Sequence, residues 1–85
     1  MKAAIRQFIL ANFYVSDGDA LADGASLLDR GVIDSTGVLE VIGFLENEFS
    51  IKVADEEMIP ENLDSIDKIE SYVSRKLQEQ HSVSA

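Results

Sequence analysis

The chain of 85 residues is predicted to be all-α, a small bundle of three main helices and one short helix with a long loop between the first and second. Three observations carry that expectation. Apolar residues recur at helical spacing in three separate segments; no segment alternates apolar and polar residues as a half-buried strand does; and aspartates stand in front of two of the periodic stretches, where helix caps belong.

The first helix is expected over roughly residues 2 to 15, where Ile5, Phe8, Ile9 and Phe13 share a face and the Ser16-Asp17-Gly18 cluster supplies a stop. From there to Asp34 the sequence reads as a loop, with Gly24 and Gly31 as turn residues and Leu21, Leu27, Leu28 and Ile33 as apolar pegs that tack it to the core. Loops of that length are usually functional. The second helix starts with Asp34 as N-cap and runs to about Ser50; a turn of about 100° per residue gathers Val38, Val41, Ile42, Leu45 and Phe49 into one buried arc. Ser35, Leu39, Gly43 and Glu46 drift to one side of that arc, with Thr36 and Glu40 beyond, and all are expected to stay wet. A connection at Ile51 to Val53 leads into Asp55-Glu56-Glu57-Met58, acids suited to the first turn of a brief helix that ends near Pro60. Asp64 is expected to cap the last helix, striped by Ile66, Ile69, Val73 and Leu77. Residues 1–80 then form one domain, and 81–85 read as a flexible tail.

Composition limits the function classes. A 46% hydrophobic content with 27% charged residues belongs to a folding domain rather than an acidic disordered tail. There is no cysteine, so neither a disulfide framework nor a cysteine zinc site exists, and a reducing cytoplasm is the expected location. Arg6, Gln7 and Asn12 interrupt the apolar N-terminal stretch, which does not read as a secretion signal, and no segment approaches a membrane span. Seven basic against sixteen acidic side chains give a formal charge of -9, which argues against nucleic acid and anionic membranes and for basic protein partners. Eleven acids and two lysines lie between Asp34 and Glu70, whereas the flanks carry five acids and five bases and cancel. The acidic excess therefore begins beside Ser35. A monomer is expected.

Ser35 is the leading candidate for chemistry, although position alone favours simple capping, since Ser and Asp at helix starts satisfy orphan backbone amides. Asp64-Ser65 repeats the same pair, but it follows a tight link between helices, whereas Ser35 follows a long loop and precedes a helix with exposed acids. A hydrolytic serine needs a base and a group to orient it. The one histidine, His81, lies in the expected tail, so Ser35 is not a self-sufficient nucleophile. An 85-residue bundle has little room to set paired carboxylates across a glycosidase cleft. A calcium loop starting at Asp17 fails, because Leu21, Ala22 and Leu28 stand where an oxygen ligand, a glycine and a glutamate belong, so no metal site is expected.

Gly31-Val32-Ile33-Asp34-Ser35, the helix pattern Val38-Leu39-Glu40-Val41-Ile42-x-x-Leu45-Glu46-x-Glu48-Phe49 and the acids Asp55-Glu56-Glu57 together resemble the acyl carrier protein family, over about Leu27 to Leu77. In that family the serine of the Asp-Ser motif receives 4′-phosphopantetheine from coenzyme A through a separate magnesium-dependent transferase. The resemblance implies Ser35 as the attachment point, Asp34 as helix cap and recognition partner, and a non-catalytic carrier that holds an acyl or aminoacyl group as a thioester. It implies as partners a phosphopantetheinyl transferase, an acyl- or aminoacyl-loading ligase and downstream synthase or transferase enzymes with basic docking patches. Thr36, Leu39, Glu40, Gly43 and Glu46 are the candidate partner-binding residues, with solubility as the plain alternative for the acids.

Departures from the pattern are specific. Thr36 stands where many fatty-acid carriers have leucine. Gly37 is expected to loosen the first turn by about 0.5 to 1 kcal/mol relative to alanine, unless a partner's close approach requires the missing side chain. Gly43 raises the same issue on the outward side, with Phe44 partly exposed beside it. These features point toward a specialised aminoacyl, polyketide or nonribosomal-peptide carrier rather than a housekeeping one for fatty acid biosynthesis. Two alternatives stand beside it: an unmodified interaction module that uses the acidic second helix while Ser35 merely caps, and a small hydrolase using Ser35.

Overall fold

In the computed structural model, residues 1–13 and 22–83 are described, the side chains of 80–83 excepted. Four α-helices follow one another: α1 (Lys2–Asn12), α2 (Ser35–Phe49), α3 (Pro60–Leu63) and α4 (Ile66–Val83), with a 3₁₀ turn at Asp55–Glu57 and no strand among the described residues. The all-α expectation of three main helices and one short one is met.

Each long helix buries the centre of the stripe its periodicity supplies, while Phe8, Phe13, Val38, Phe49 and Leu77 of the expected stripes are only half-buried and Tyr72 joins the core unexpectedly. Ile5 and Ile9 of α1, Val41, Ile42 and Leu45 of α2, and Ile66, Ile69, Tyr72 and Val73 of α4 form one core with Leu27, Val32 and Ile33 from the loop and Ile51, Val53 and Leu63 from the connections. A fully buried Leu or Ile contributes about 1.5 to 3 kcal/mol, so this cluster supplies the fold's main driving force. The longest helix, α4, packs against all three others. On the far side of α2, Phe44 stacks on Phe8 with ring centroids 4.2 Å apart and meets Phe49 edge-on, so it is held in an aromatic cluster.

The loop before α2 is built around Leu27. Its side chain is buried, its N–H donates to the Asp64 carbonyl (2.7 Å), and its own carbonyl accepts from the N–H groups of Val32 (3.0 Å) and Ile33 (3.3 Å). Gly31 closes that turn with φ 70°, a left-handed conformation that glycine takes without steric cost.

Several boundaries differ from expectation. The first helix stops at Asn12, because Phe13 turns extended (φ -130°) and lays its ring over the start of α2. The short helix begins at Pro60 rather than ending there: proline lacks the N–H that a first helical residue leaves unpaired, and its fixed φ suits that position. The acids expected to open it form only the 3₁₀ turn. Asp64 ends α3, and Ser65 caps α4 by accepting from the Lys68 N–H (3.0 Å). The last helix continues to Val83, into the segment expected as a tail. The Ser16-Asp17-Gly18 turn, Leu21, residues 84–85 and the His81 side chain lie outside the described residues.

Candidate functional site

Ser35 becomes the first residue of α2 because Asp34 holds the helix start. The Asp34 backbone is extended (φ -111°, ψ -172°), its carboxylate accepts from the Gly37 N–H (2.7 Å), and its carbonyl accepts from the Val38 N–H (3.0 Å). Asp34 is therefore the expected N-cap. Gly37 is buried against this start. A Cβ there would lie 2.8 Å from Cε1 of Phe13 and 3.3 Å from Cγ2 of Ile33. The chain's own packing, not the approach of a partner, requires the glycine. The Phe13 ring and the Asp34 cap together fix the backbone that carries Ser35.

Ser35 is exposed, as expected, and its hydroxyl bonds to none of the described residues. The N–H groups of Ser35 and Thr36 also have no acceptor among them, since the Asp34 carboxylate takes the Gly37 N–H instead. The site thus presents a free hydroxyl beside two free amides at the positive end of a 15-residue helix.

Ser35 also borders an apolar cavity of about 370 Å³. One wall is the loop, through Leu27, Leu28 and Ile33; the second is α2, through Ser35, Val38 and Leu39; the third is the α3 segment, through Met58, Ile59, Pro60 and Leu63. Serine supplies the one polar side chain. Three apolar residues stand partly in solvent around it, Leu28 at 39%, Ile59 at 41% and Leu39 at 61% exposure. The helix wheel places Val38 in the buried arc and Leu39 beside it without indicating a cavity, and Met58 to Pro60 carry no periodic signal that ties them to Ser35.

Of the candidate partner residues, Thr36, Leu39 and Glu40 are exposed and flank Ser35 on the outer side of α2. Gly43 is half-buried, with open space where a Cβ would stand. Glu46 is half-buried rather than wet. Its carboxylate accepts from the Val53 N–H (2.9 Å), because the connection that buries the Val53 side chain leaves that amide in need of an acceptor.

The acidic run divides in the same manner. Asp55, Glu56 and Glu61 face solvent, but Glu57 turns inward and accepts from the Ala54 N–H (3.0 Å), the Lys76 ammonium (3.0 Å) and the Tyr72 hydroxyl (2.9 Å). The Ala54 amide first, then Lys76 and Tyr72, hold its carboxyl below the ordinary glutamate value. Burial and the adjoining Glu57 push the Tyr72 hydroxyl up. Elsewhere Asp67 (2.8 Å), Asp23 (3.6 Å) and Glu70 (3.7 Å) surround the Lys2 ammonium, and Arg6 pairs with Asp23, so these three acids are engaged with cations of the chain itself.

The second Asp-Ser pair is spent on structure. Ser65 is 3% exposed and occupied in capping. Asp64 accepts from the Ser26 hydroxyl (2.6 Å) and the Leu28 N–H (2.9 Å), which joins the loop wall of the cavity to the end of α3. Neither contact is visible in local sequence. No described helix is long and apolar enough to cross a membrane. No protein-family model matches the chain, and no curated protein matches it.

Proposed function

We propose that this chain is a cytoplasmic acyl carrier in which Ser35 bears 4′-phosphopantetheine, and that partner enzymes load, modify and unload the cargo. The observation that carries this proposal is an unengaged serine hydroxyl, fixed at a helix N-terminus and bordering an apolar cavity. A serine modified by another enzyme needs exposure and a rigid backbone and no base of its own. The resemblance of the segment from Leu27 to Leu77 to acyl carrier proteins points the same way.

The residues fit the group. The Ser35 and Thr36 amides and the helix dipole favour an anion on the Ser35 oxygen by about 0.3 to 1 kcal/mol at an exposed site. In the transfer, Ser35 Oγ bonds to a pyrophosphate phosphorus of coenzyme A, the bond to the adenosine phosphate breaks, and the Oγ proton passes to a base of the magnesium-dependent transferase. The arm, once attached, supplies a terminal thiol that holds cargo as a thioester.

The cavity favours an apolar acyl chain over an aminoacyl group. A volume of about 370 Å³ without a charged lining residue receives alkyl carbon readily, whereas an ammonium group inside it meets no carboxylate among the lining side chains and bears a desolvation cost. Thr36, Leu39, Glu40 and Gly43 form the face offered to transferase, ligase and synthase partners, where the exposed Glu40 attracts basic patches and Leu39 adds a small apolar contact.

Intact mass after incubation with coenzyme A, magnesium and a broad-specificity transferase tests the proposal. The expected result is one added phosphopantetheine in the parent chain and none in Ser35→Ala; an unmodified parent overturns it. The exposure of Leu39 beside Glu40 also suits a second function, an unmodified module that docks a protein through α2, and the unmodified parent is the outcome that favours it.

A further inference from the structure

We infer that Asp64 and Ser26 form a clasp that holds two walls of the Ser35 cavity together and thereby sets how firmly an alkyl chain is retained there; the identity of the occupant rests on the carrier function proposed above. The cavity has three walls, and the third, the short α3 segment, packs chiefly on α4. Among the described residues, its hydrogen bonds to the loop wall run through Asp64. The Asp64 carbonyl accepts from the Leu27 N–H (2.7 Å), one carboxylate oxygen accepts from the Leu28 N–H (2.9 Å), and the other accepts from the Ser26 hydroxyl (2.6 Å). The same Ser26 oxygen accepts from the Asp29 N–H (3.1 Å), so the clasp also closes the loop on itself.

The residues it positions are those that enclose the cavity. Leu27 and Leu28 lie directly in the gripped stretch, and Leu63 immediately precedes Asp64. Ser26 and Asp64 are part-buried, and a charge-assisted bond in that setting is among the stronger ones a side chain makes. With the clasp closed, Leu28 and Leu63 face a common volume at fixed separation, and an alkyl chain touches both. Once it is released, the loop wall is free to move from α3 and the chain loses contacts on one side. Asp64 and Ser26 touch neither cargo nor arm; they are positioning residues.

The test uses the whole chain in two forms. The unmodified protein is titrated with 1-octanol while the methyl resonances of Val38 and Leu63 are followed. Saturable shifts are expected in the parent, with binding weakened roughly fivefold or more in Ser26→Ala and Asp64→Asn, the factor that one lost hydrogen bond of ordinary net strength corresponds to. The loaded protein is then prepared with octanoyl or acetyl cargo on the arm and exposed to hydroxylamine. Octanoyl cargo should be cleaved more slowly than acetyl in the parent, and the ratio of the two rates should return toward one in both variants. General loosening of the fold does not predict loss of that chain-length ratio, since the acetyl form shares the fold. Absence of octanol shifts in the parent, unchanged or tighter octanol affinity in the variants, or an unchanged ratio overturns the clasp. Ser26→Ala leaves the backbone of the α3–α4 junction intact and decides the matter if Asp64→Asn does not fold. A chain that takes no arm on Ser35 overturns the carrier function, and the octanol titration still decides the clasp.

Discussion

Asp34-Ser35 and Asp64-Ser65 are the same dipeptide at the head of two helices, and the two members exchange roles between them. In the first pair the aspartate caps and the serine is left free in solvent; in the second the serine caps, buried, and the aspartate reaches across to hold a loop. The difference is one of register. Where α2 starts, the extended residue is Asp34, so Ser35 falls one step inside the helix with nothing to bond. Where α4 starts, α3 has just ended on Asp64, and the cap moves one residue on. The Ser35 hydroxyl is left to other molecules because the residue before it has already taken the capping role.

The largest effect expected from this contrast is an all-or-none one. Under the proposed carrier function, Ser35→Ala should remove phosphopantetheine attachment and leave the urea midpoint near that of the parent, whereas Ser65→Ala should leave attachment intact and cost about 1 kcal/mol, the usual loss for a helix cap. Asp64→Ala should then exceed Asp34→Ala in stability cost, about 2 against about 1 kcal/mol by urea denaturation, because the first removes two charge-assisted bonds and the second one cap.

A second contrast separates inward from outward acids. The Glu57 carboxyl is held below its ordinary value, so the unfolded chain binds more protons there than the folded one as the medium turns acidic. Its stabilising contribution is complete above the ordinary glutamate pKa of about 4.3 and is lost as pH falls through the lower folded value. Glu57→Gln should lower the urea midpoint at pH 7, by a margin that shrinks below about pH 4. Glu40→Gln, on the exposed face, should leave the midpoint unchanged at both.

The two glycines of α2 should respond with opposite sign. Gly37→Ala drives a methyl into the Phe13 ring and should cost about 1 kcal/mol, whereas Gly43→Ala meets open space and should gain about 0.5 to 1 kcal/mol from helix propensity. The smallest effect belongs to Ser50, which ends α2 in the left-handed region at φ 56°. Ser50→Gly should raise the thermal midpoint slightly, by relieving a conformation that only glycine adopts freely.

What the sequence made legible was whatever repeats within one helix. The buried arcs of α2 and α4 lie where Val41, Ile42, Leu45, Ile66, Ile69 and Val73 put them, and Asp34 and Ser35 occupy the cap and the exposed position read for them. What stayed hidden depends on partners far along the chain. Phe13 explains Gly37 across 24 positions, Val53 draws in Glu46, Tyr72 and Lys76 draw in Glu57, and Asp64 grips residues 36 and 38 positions earlier. Periodicity carries no trace of such pairings, so acids destined for the interior look the same as those left outside. The proposed carrier function draws on the resemblance and on the site's geometry, and the mass measurement is its direct check.

On the third side of the cavity, Met58, Ile59 and Pro60 stand outside the buried core to which their neighbour Leu63 belongs. Part of the chamber's lining is thereby separate from the residues that drive folding, although Leu27, Ile33 and Leu63 serve both. A lineage, or a designer, is free to enlarge or shrink the chamber by exchanging Met58 and Ile59 while the interlocked aliphatic interior goes untouched, and under the proposed carrier function that freedom would make cargo preference an adjustable trait.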